Sequence, residues 1–306
     1  MRNSLCQNLI HRAENPEMLF LTGDLGFMAL EPLRDRLKER FINAGVAEQN
    51  MVTVAAALAH QKFEVWVYSI APFIYARAFE QIRNDICLHN LPVKLIGNGG
   101  GFHYGVMGPT HHAIEDYGVL LTLTNMKAYI PIFTEDLNPI ITSAAMEKCP
   151  SYIRLGRSEK PNDYNPPKYQ PLRQLTAGNG PVVIAIGPLA GSYIESFQKL
   201  PDDVRPNLWG LSELPFANIK IPTKLIDQLR DAKGLCIAEE HVKQGSAASQ
   251  ILLTLTEMGI AIENFRHFYA TSHQFKYSGS QNYLRECSGV NVENVISVIK
   301  SLNCEH

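Results

Sequence analysis

The 306-residue sequence lacks the features that mark membrane, secreted and nucleic-acid-binding proteins. No apolar run approaches the ~20 residues needed to span a bilayer, and its first residues, MRNSLCQNLIHRAENPE, have no apolar stretch typical of a secretory signal. The 28 Lys and Arg residues are balanced by 30 Asp and Glu residues, so no basic surface is expected for phosphate backbones. Six cysteines lie scattered without a CxxC pair, which favours a reduced, intracellular chain. We therefore expect a soluble, cytoplasmic protein that binds neither nucleic acid nor membranes.

Charged residues are also scarce, at 19% of the chain against roughly 25% in an average soluble protein. Apolar residues make up 45%, which is enough to build a large core and excludes a disordered chain. A surface with so few charges indicates that part of it is buried against another subunit.

Short β-rich runs alternate with helix-length segments through the first half of the chain, which is typical of a parallel sheet with helices on both faces. The expected strands are 18–23, 40–45, 64–69, 93–98, 127–131 and 151–156, and the expected helices are 3–14, 31–39, 47–61, 73–89, 113–122 and 135–147.

A stretch with four prolines follows and is expected to be a linker. Beyond it, the runs 181–187, 204–210 and 233–240 are expected to be strands of a smaller domain. The predicted fold class is α/β, with two domains that are each a mainly parallel sheet with helices on both faces. The first domain is expected over 1–160, the linker over 161–180 and the second domain over 181–306.

Ligands of such sheets bind beyond the carboxyl ends of the strands, where four loops carry unusual residues. These loops are TGDLG (22–26), NAGVAEQN (43–50), YSIAPF (68–73) and GNGGGFHYGVMGPTHH (97–112). No GxGxxG precedes a helix and no GxxxxGK is followed by Ser or Thr, which excludes a dinucleotide fingerprint and a P-loop. Glu48 stands at the start of a predicted helix, where the helix dipole favours a carboxylate. From spacing alone it is either a functional group or an ordinary first-turn glutamate.

The fourth loop combines several glycines with His103, His111 and His112. Glycine lets a backbone approach a ligand closely, and histidine transfers protons near neutral pH. A flexible turn with solvated histidines is the alternative. No cysteine or carboxylate spacing supports a zinc site, so no metal ligands are predicted in this chain.

Arginines give a third set of candidates. Arg154 and Arg157 follow the last strand of the first domain, where they either hold an anionic substrate group or are surface charges. Arg77 is expected to pair with Glu80 on a solvated helix face.

Taken in order, several of these segments resemble the C-terminal half of a transketolase, that is, its pyrimidine-binding domain followed by its C-terminal domain. The matching segments are GDL (23–25), FINAGVAEQNM (41–51), SIAPF (69–73), RAFEQIRND (77–85), GPTHH (108–112) and YIRLGR (152–157). The resemblance is looser after residue 160, where EEHVKQGSA resembles the C-terminal domain of deoxyxylulose phosphate synthases.

The resemblance implies thiamine diphosphate as the cofactor, which supplies the reactive carbon and the electron sink while the protein orients it. Glu48 matches the catalytic glutamate that hydrogen-bonds to ring N1' of the cofactor's aminopyrimidine. Phe73 matches the aromatic residue that stacks on this ring, and Asp24 matches an aspartate near the thiazolium ring. Ile70 is assigned to the same cofactor-binding group.

The resemblance also implies a substrate site. His111 matches the catalytic histidine of the family's GxTH loop, which contacts substrate oxygens and moves protons, and Arg157 matches an arginine that binds the substrate phosphate. His103 and Arg2 are assigned to the same substrate. At Met107 the sequence departs from the family, because ordinary transketolases have there an aspartate that contacts a sugar hydroxyl. The acceptor is therefore expected to differ in stereochemistry or polarity, and a modified sugar is one hypothesis.

A second departure concerns the cofactor's diphosphate, which the family binds through Mg²⁺ on a GDG motif and a later Asn of another domain. This chain has GDLG but no such unit, and a hard cation needs its own oxygen ligands. The resemblance therefore implies a partner, an N-terminal diphosphate-binding transketolase subunit that holds the Mg²⁺, in an α2β2 heterotetramer.

The expected function is that of the C-terminal subunit of a split transketolase-like enzyme. It would transfer a two-carbon ketol or acyl unit to a small-molecule carbonyl or sugar acceptor. The alternatives are the beta subunit of a 2-oxo acid dehydrogenase and a non-catalytic stabilising partner.

Overall fold

The computed structural model describes residues 1–231, 234–271 and 278–304. The strands in this part of the chain are β1 (Met18–Thr22), β2 (Phe41–Asn43), β3 (Glu64–Ile70), β4 (Lys94–Asn98), β5 (Lys127–Tyr129), β6 (Ser151–Leu155), β7 (Leu172–Thr176), β8 (Val182–Ile186), β9 (Asn207–Leu211), β10 (Glu213–Leu214), β11 (Leu235–Ala238) and β12 (Phe265–Phe268).

The helices connect these strands and lie against the sheets. They are α1 (Arg2–Arg12), α2 (Glu31–Leu37), α3 (Glu48–His60), α4 (Phe79–Gln81), α5 (Asp116–Leu120), α6 (Leu137–Met146), α7 (Leu189–Gln198), α8 (Thr223–Asp231), α9 (Ala247–Glu257), α10 (Gln281–Ser288) and α11 (Val292–Cys304). The short α4 is flanked by two π-helical turns, Phe73–Arg77 and Ile82–Cys87, so the segment predicted as one helix over 73–89 is irregular.

The strands form two sheets, in the orders β10-β5-β6-β4-β3-β1-β2 and β12-β11-β8-β9-β7. All neighbouring strands are parallel except for the edge pairs β10 with β5 and β7 with β9. The predicted α/β class with two mainly parallel sheets is therefore confirmed. Because the central strands of the first sheet are parallel, the loops that follow them all lie at one edge of that sheet.

The layers follow from the alternation of side chains along each strand. In β1, Leu19 and Leu21 belong to the apolar cluster that includes α3, whereas Met18 and Phe20 belong to the cluster on the other face, which includes α1, α2 and α6. Every residue of β1, β4 and β6 is buried, as expected of strands covered on both faces.

Two strand pairings cross the ranges assigned to the two domains and the linker. The range predicted as a linker, 161–180, contains β7, which pairs with β9 in the second sheet. Conversely, β10 comes from the range predicted as the second domain but pairs with β5 in the first sheet. The two sheets are therefore joined by more than a connecting segment. Within the described residues, no helix has both the length and the apolar character that a membrane span requires.

Candidate functional site

Glu48 is the first residue of α3, at the carboxyl edge of the first sheet, and its side chain is buried. Its Oε1 accepts a hydrogen bond from the Ser69 hydroxyl at 3.0 Å, and its Oε2 accepts one from Nη1 of Arg77 at 2.5 Å. A buried carboxylate requires such partners, because removing a charge from water is costly. A Cβ atom at Gly23 would lie 3.3 Å from Oε1 and 3.4 Å from the Gly45 carbonyl oxygen, so a side chain at this position would crowd the carboxylate.

The expected pairing of Arg77 with Glu80 is wrong. Arg77 instead pairs with Glu48, and its guanidinium carbon lies 4.7 Å from the centre of the Phe73 ring. Phe73 and Arg77 are the first and last residues of the same π-helical turn, which places both side chains on one side of the segment. The Arg77 side chain remains 42% exposed, while that of Glu48 is 1% exposed.

Phe73 also brings the glycine-rich loop into the site. Its ring lies edge-on to that of His111, with 5.2 Å between the ring centres, and the ring of Tyr104 lies 6.3 Å from that of His111. Nδ1 of His111 lies 2.9 Å from the Thr110 hydroxyl. The structure thus brings Glu48, Phe73 and His111 together from three separate loops.

Asp24 and Ile70 lie on neighbouring parts of the same edge. Asp24 is exposed in the loop after β1, with a positive φ of 58°, and it accepts a hydrogen bond from the Asn43 amide at 2.8 Å. Asn43 in turn accepts one from the Gly45 backbone N–H at 3.0 Å, which ties the first loop to the second. Ile70 ends β3, half-buried and next to Ser69.

His103 lies deeper in the glycine-rich loop. Burial lowers the pKa of its imidazole, and the nearby positive charges of Arg157 and Arg2 lower it further, against the opposing effect of Glu240. Nδ1 of His103 is buried and has no hydrogen-bond partner among the described residues. Arg157 is exposed just after β6, and the positive charge of Arg2 lies near the Tyr68 hydroxyl.

Arg154 has a structural role, which answers the question that its position in the sequence left open. It is buried, its Nε donates to Asp116 at 2.8 Å, and Nη2 donates to the carbonyls of Ala113 and Glu240. The Tyr152 hydroxyl donates to the same Asp116 oxygen at 2.8 Å. Arg154 therefore anchors the base of the glycine-rich loop and is not available to a substrate.

Large apolar side chains are exposed on the loops around the site. We call them the apolar edge set. They lie on the loops after β1, β2 and β4 and are Phe27, Met28, Val46, Val106 and Met107. Met28 is 89% exposed. Met107 thus stands at the surface of the glycine-rich loop. Large exposed apolar groups on one edge indicate a surface that another molecule covers.

No metal site emerges from the described ranges of the chain, where no three His, Cys, Asp or Glu side chains are grouped so that they could hold an ion. His103, His111 and His112 come from one loop but do not converge, and the His112 side chain is buried against the ring of Phe102.

Sequence reasoning missed Ser69, Asn43 and Tyr104, which each hydrogen-bond to or contact a predicted site residue. Ser69 and Asn43 do carry a signal, since each is a polar residue at the end of an otherwise apolar strand. Tyr104 carries none, because its contact depends on how the glycine-rich loop folds.

Comparison with known proteins finds a matching family and several relatives. The sequence matches the family described as transketolase, pyrimidine binding domain, over residues 10–162. It is 27% identical to one of the subunits of the apulose-4-phosphate transketolase of Actinobacillus succinogenes, over 90% of this chain and 88% of that protein. It is 30% identical to 1-deoxy-D-xylulose-5-phosphate synthase 2 of Geobacter sulfurreducens over 86% of this chain, which spans only 42% of that protein.

Solved structures have the same fold. A split gene transketolase, determined as an inactive beta4 tetramer, superposes with a TM-score of 0.85 at 27% identity, covering 99% of this chain and 98% of that one. The transketolase from Leishmania mexicana superposes with a TM-score of 0.79 at 16% identity, covering 99% of this chain and 45% of that one. The family match spans half of the sequence and includes Asp24, Glu48, Phe73 and His111. The chain therefore belongs to the transketolase family and carries its pyrimidine-binding domain.

Proposed function

We propose that this chain is one subunit of a thiamine-diphosphate-dependent, transketolase-type transferase, and that it holds the pyrimidine ring of the cofactor. Dependence on thiamine diphosphate is implied by the family. The observation that carries the proposal is the buried Glu48 carboxylate, which lies against Gly23, where a side chain would crowd it, and is linked through Arg77 to the half-buried ring of Phe73.

The residues present fit an aminopyrimidine. Glu48 offers a carboxylate for a ring nitrogen, and burial strengthens such a hydrogen bond because the local dielectric is low. Phe73 offers an aromatic surface for stacking, and the half-buried Ile70 adds an apolar contact. Asp24 lies on the adjoining loop, and we assign it to the thiazolium ring, as the family resemblance implies.

When bound, thiamine diphosphate supplies a nucleophilic carbon and an electron sink. The chain's own residues then act on the substrate. His111 has Nδ1 held by Thr110, so Nε2 is the nitrogen that is placed to hydrogen-bond to a substrate oxygen and to move its proton. Arg2 and Arg157 bring positive charge close to His103, which suits a phosphate group.

The proposed reaction is the transfer of a two-carbon ketol or acyl unit to a carbonyl acceptor. Met107 places an apolar side chain where ordinary transketolases have an acid, which favours an acceptor other than a standard sugar phosphate, such as a modified sugar.

A partner chain is part of the proposal. The described residues offer no group of acidic or histidine side chains for Mg²⁺, and a hard cation needs oxygen ligands. We propose that an N-terminal, diphosphate-binding transketolase subunit supplies them, in an α2β2 assembly that covers the apolar edge set. The relative from Actinobacillus succinogenes is itself named as one subunit of a transketolase.

Substitution of Glu48 tests the proposal. In the complex of this chain with its partner, Glu48→Gln should lower the rate of ketol transfer at least 100-fold, the usual effect of removing a group that controls proton transfer, while native mass spectrometry finds the assembly unchanged. Glu80→Gln, an exposed carboxylate of the same region, is the matched control and should retain full activity. Full activity of Glu48→Gln would refute the proposal, and oxidative decarboxylation of a 2-oxo acid instead of ketol transfer would favour the dehydrogenase alternative.

A further inference from the structure

The Arg77 guanidinium contacts Glu48 and Phe73, the two side chains to which the proposed function assigns the pyrimidine ring. Its Nη1 lies 2.5 Å from Glu48 Oε2, and its guanidinium carbon lies 4.7 Å from the centre of the Phe73 ring. The other carboxylate oxygen already accepts from Ser69. In the chain by itself, the carboxylate therefore has both oxygens engaged, and the aromatic ring carries a planar cation.

A guanidinium resembles an aminopyrimidine in the two respects that matter here. It is planar and stacks on aromatic rings, and its N–H groups match the geometry of a carboxylate. A stacked ring needs its centre about 4.5–7 Å from that of its partner, which is the space that Arg77 fills above Phe73. The guanidinium and the pyrimidine cannot occupy it together.

We propose that Arg77 occupies the pyrimidine site in the free subunit and leaves Glu48 when thiamine diphosphate binds, an inference that rests on the proposed function. The energetics favour this exchange. The free subunit would otherwise bury the Glu48 carboxylate without a counter-charge, which is costly. Arg77 can leave because its own side chain is 42% exposed, so its guanidinium regains water, while a ring nitrogen of the cofactor takes its place at the carboxylate.

Because Arg77 competes with the pyrimidine ring for this site, it lowers the affinity of the chain for the ring. We would titrate the full chain with thiamine diphosphate and with its pyrimidine half, 4-amino-5-hydroxymethyl-2-methylpyrimidine, using calorimetry and ligand-observed NMR. Arg77→Met keeps the length of the side chain and removes its charge and donors. It should lower the Kd for the pyrimidine about fivefold, which corresponds to ~1 kcal/mol.

Arg83→Met is the matched control, because Arg83 is an exposed arginine of the same segment that hydrogen-bonds to Asn84 rather than to Glu48. It should leave the Kd at the value of the unsubstituted chain. If Arg77→Met fails to fold, as judged by circular dichroism, Arg77→Gln replaces it with the same expected direction.

Each outcome separates this inference from the proposed function. An unchanged or higher Kd for the Arg77 variant, or no binding to it, would overturn the inference, whereas loss of ketol transfer in Glu48→Gln would still support the proposed function. A gain in affinity that persists in the Arg77→Met, Glu48→Gln double variant would place the pyrimidine elsewhere and overturn both.

Discussion

The ion pair beneath the glycine-rich loop gives a prediction that can be worked from the structure. Asp116→Asn keeps the shape of the side chain but removes the charge that faces Arg154. Both side chains are buried, at 0% and 5% exposure, and the remaining acceptors of Arg154 are backbone carbonyls. The new amide nitrogen would take the place of Oδ1, which has no hydrogen-bond partner among the described residues. Breaking such a pair leaves a buried charge uncompensated, at a cost of about 3–5 kcal/mol.

Thermal unfolding measures this cost. At ~2 °C per kcal/mol for a chain of this size, Asp116→Asn should lower Tm by about 6–10 °C. The control is Glu135→Gln, which makes the same carboxylate-to-amide change in a partly exposed pair with Lys160 and should cost less than ~1 kcal/mol. The amides of residues 97–112 should also exchange faster with solvent in Asp116→Asn, since Arg154 binds the carbonyl of Ala113. A Tm equal to that of the control would refute the assignment of Arg154 as a loop anchor.

Three further predictions concern the site and its support. Phe73→Ala should raise the Kd of the assembled enzyme for thiamine diphosphate up to about tenfold, because a stacked aromatic pair contributes ~1 kcal/mol; an unchanged Kd in calorimetry would exclude stacking. Gly101→Ala should cost about 2 kcal/mol in denaturant unfolding, since φ is +63° and the new Cβ would meet the Glu240 side chain. His241 is buried, which lowers its pKa below 6.5, and its Nε2 accepts from the Gly118 N–H. The unfolded chain therefore takes up a proton at this histidine at a higher pH than the folded chain does. The stability that results is present above pH 6.5 and is lost as the pH falls through the folded-state pKa. When Tm is measured from pH 7 to about 5.5, it should fall less in His241→Asn than in the unsubstituted chain.

The central strands of both sheets can be predicted from the sequence because they are covered on both faces. The β8 strand, VVIAI, is apolar throughout, and the β4 strand, KLIGN, has an apolar centre between its polar ends, which leaves little ambiguity. By contrast, β7 reads LRQLT, and its polar residues within a proline-rich stretch conceal an antiparallel edge strand. β10 has only two residues, too few for any periodicity, and its pairing with the first sheet depends on tertiary contacts.

The site residues, like the strands, divide into those that can be predicted from the sequence and those that cannot. Glu48 and His111 stand in local motifs, GVAEQNM and GPTHH, and their roles are predicted from the resemblance of these motifs to those of transketolases, because spacing alone leaves the role of Glu48 open. The pairing of Arg77 with Glu48 is not predicted, because Glu48 lies 29 residues away and Glu80 is a carboxylate much nearer in the sequence. Arg154 and Arg157 are close neighbours in the sequence, but Arg154 is buried within β6 and Arg157 is exposed beyond the end of that strand. Only the fold separates a structural arginine from one that remains available to a ligand.

The central claim is that this chain holds half of a shared cofactor site. Native mass spectrometry with thiamine diphosphate and Mg²⁺ tests it most directly, on this chain alone and co-expressed with its candidate partner. We expect the cofactor to be retained only in a complex with two copies of each chain, and we expect Glu48→Gln to leave that complex assembled. Retention of thiamine diphosphate and Mg²⁺ by this chain alone would contradict the claim.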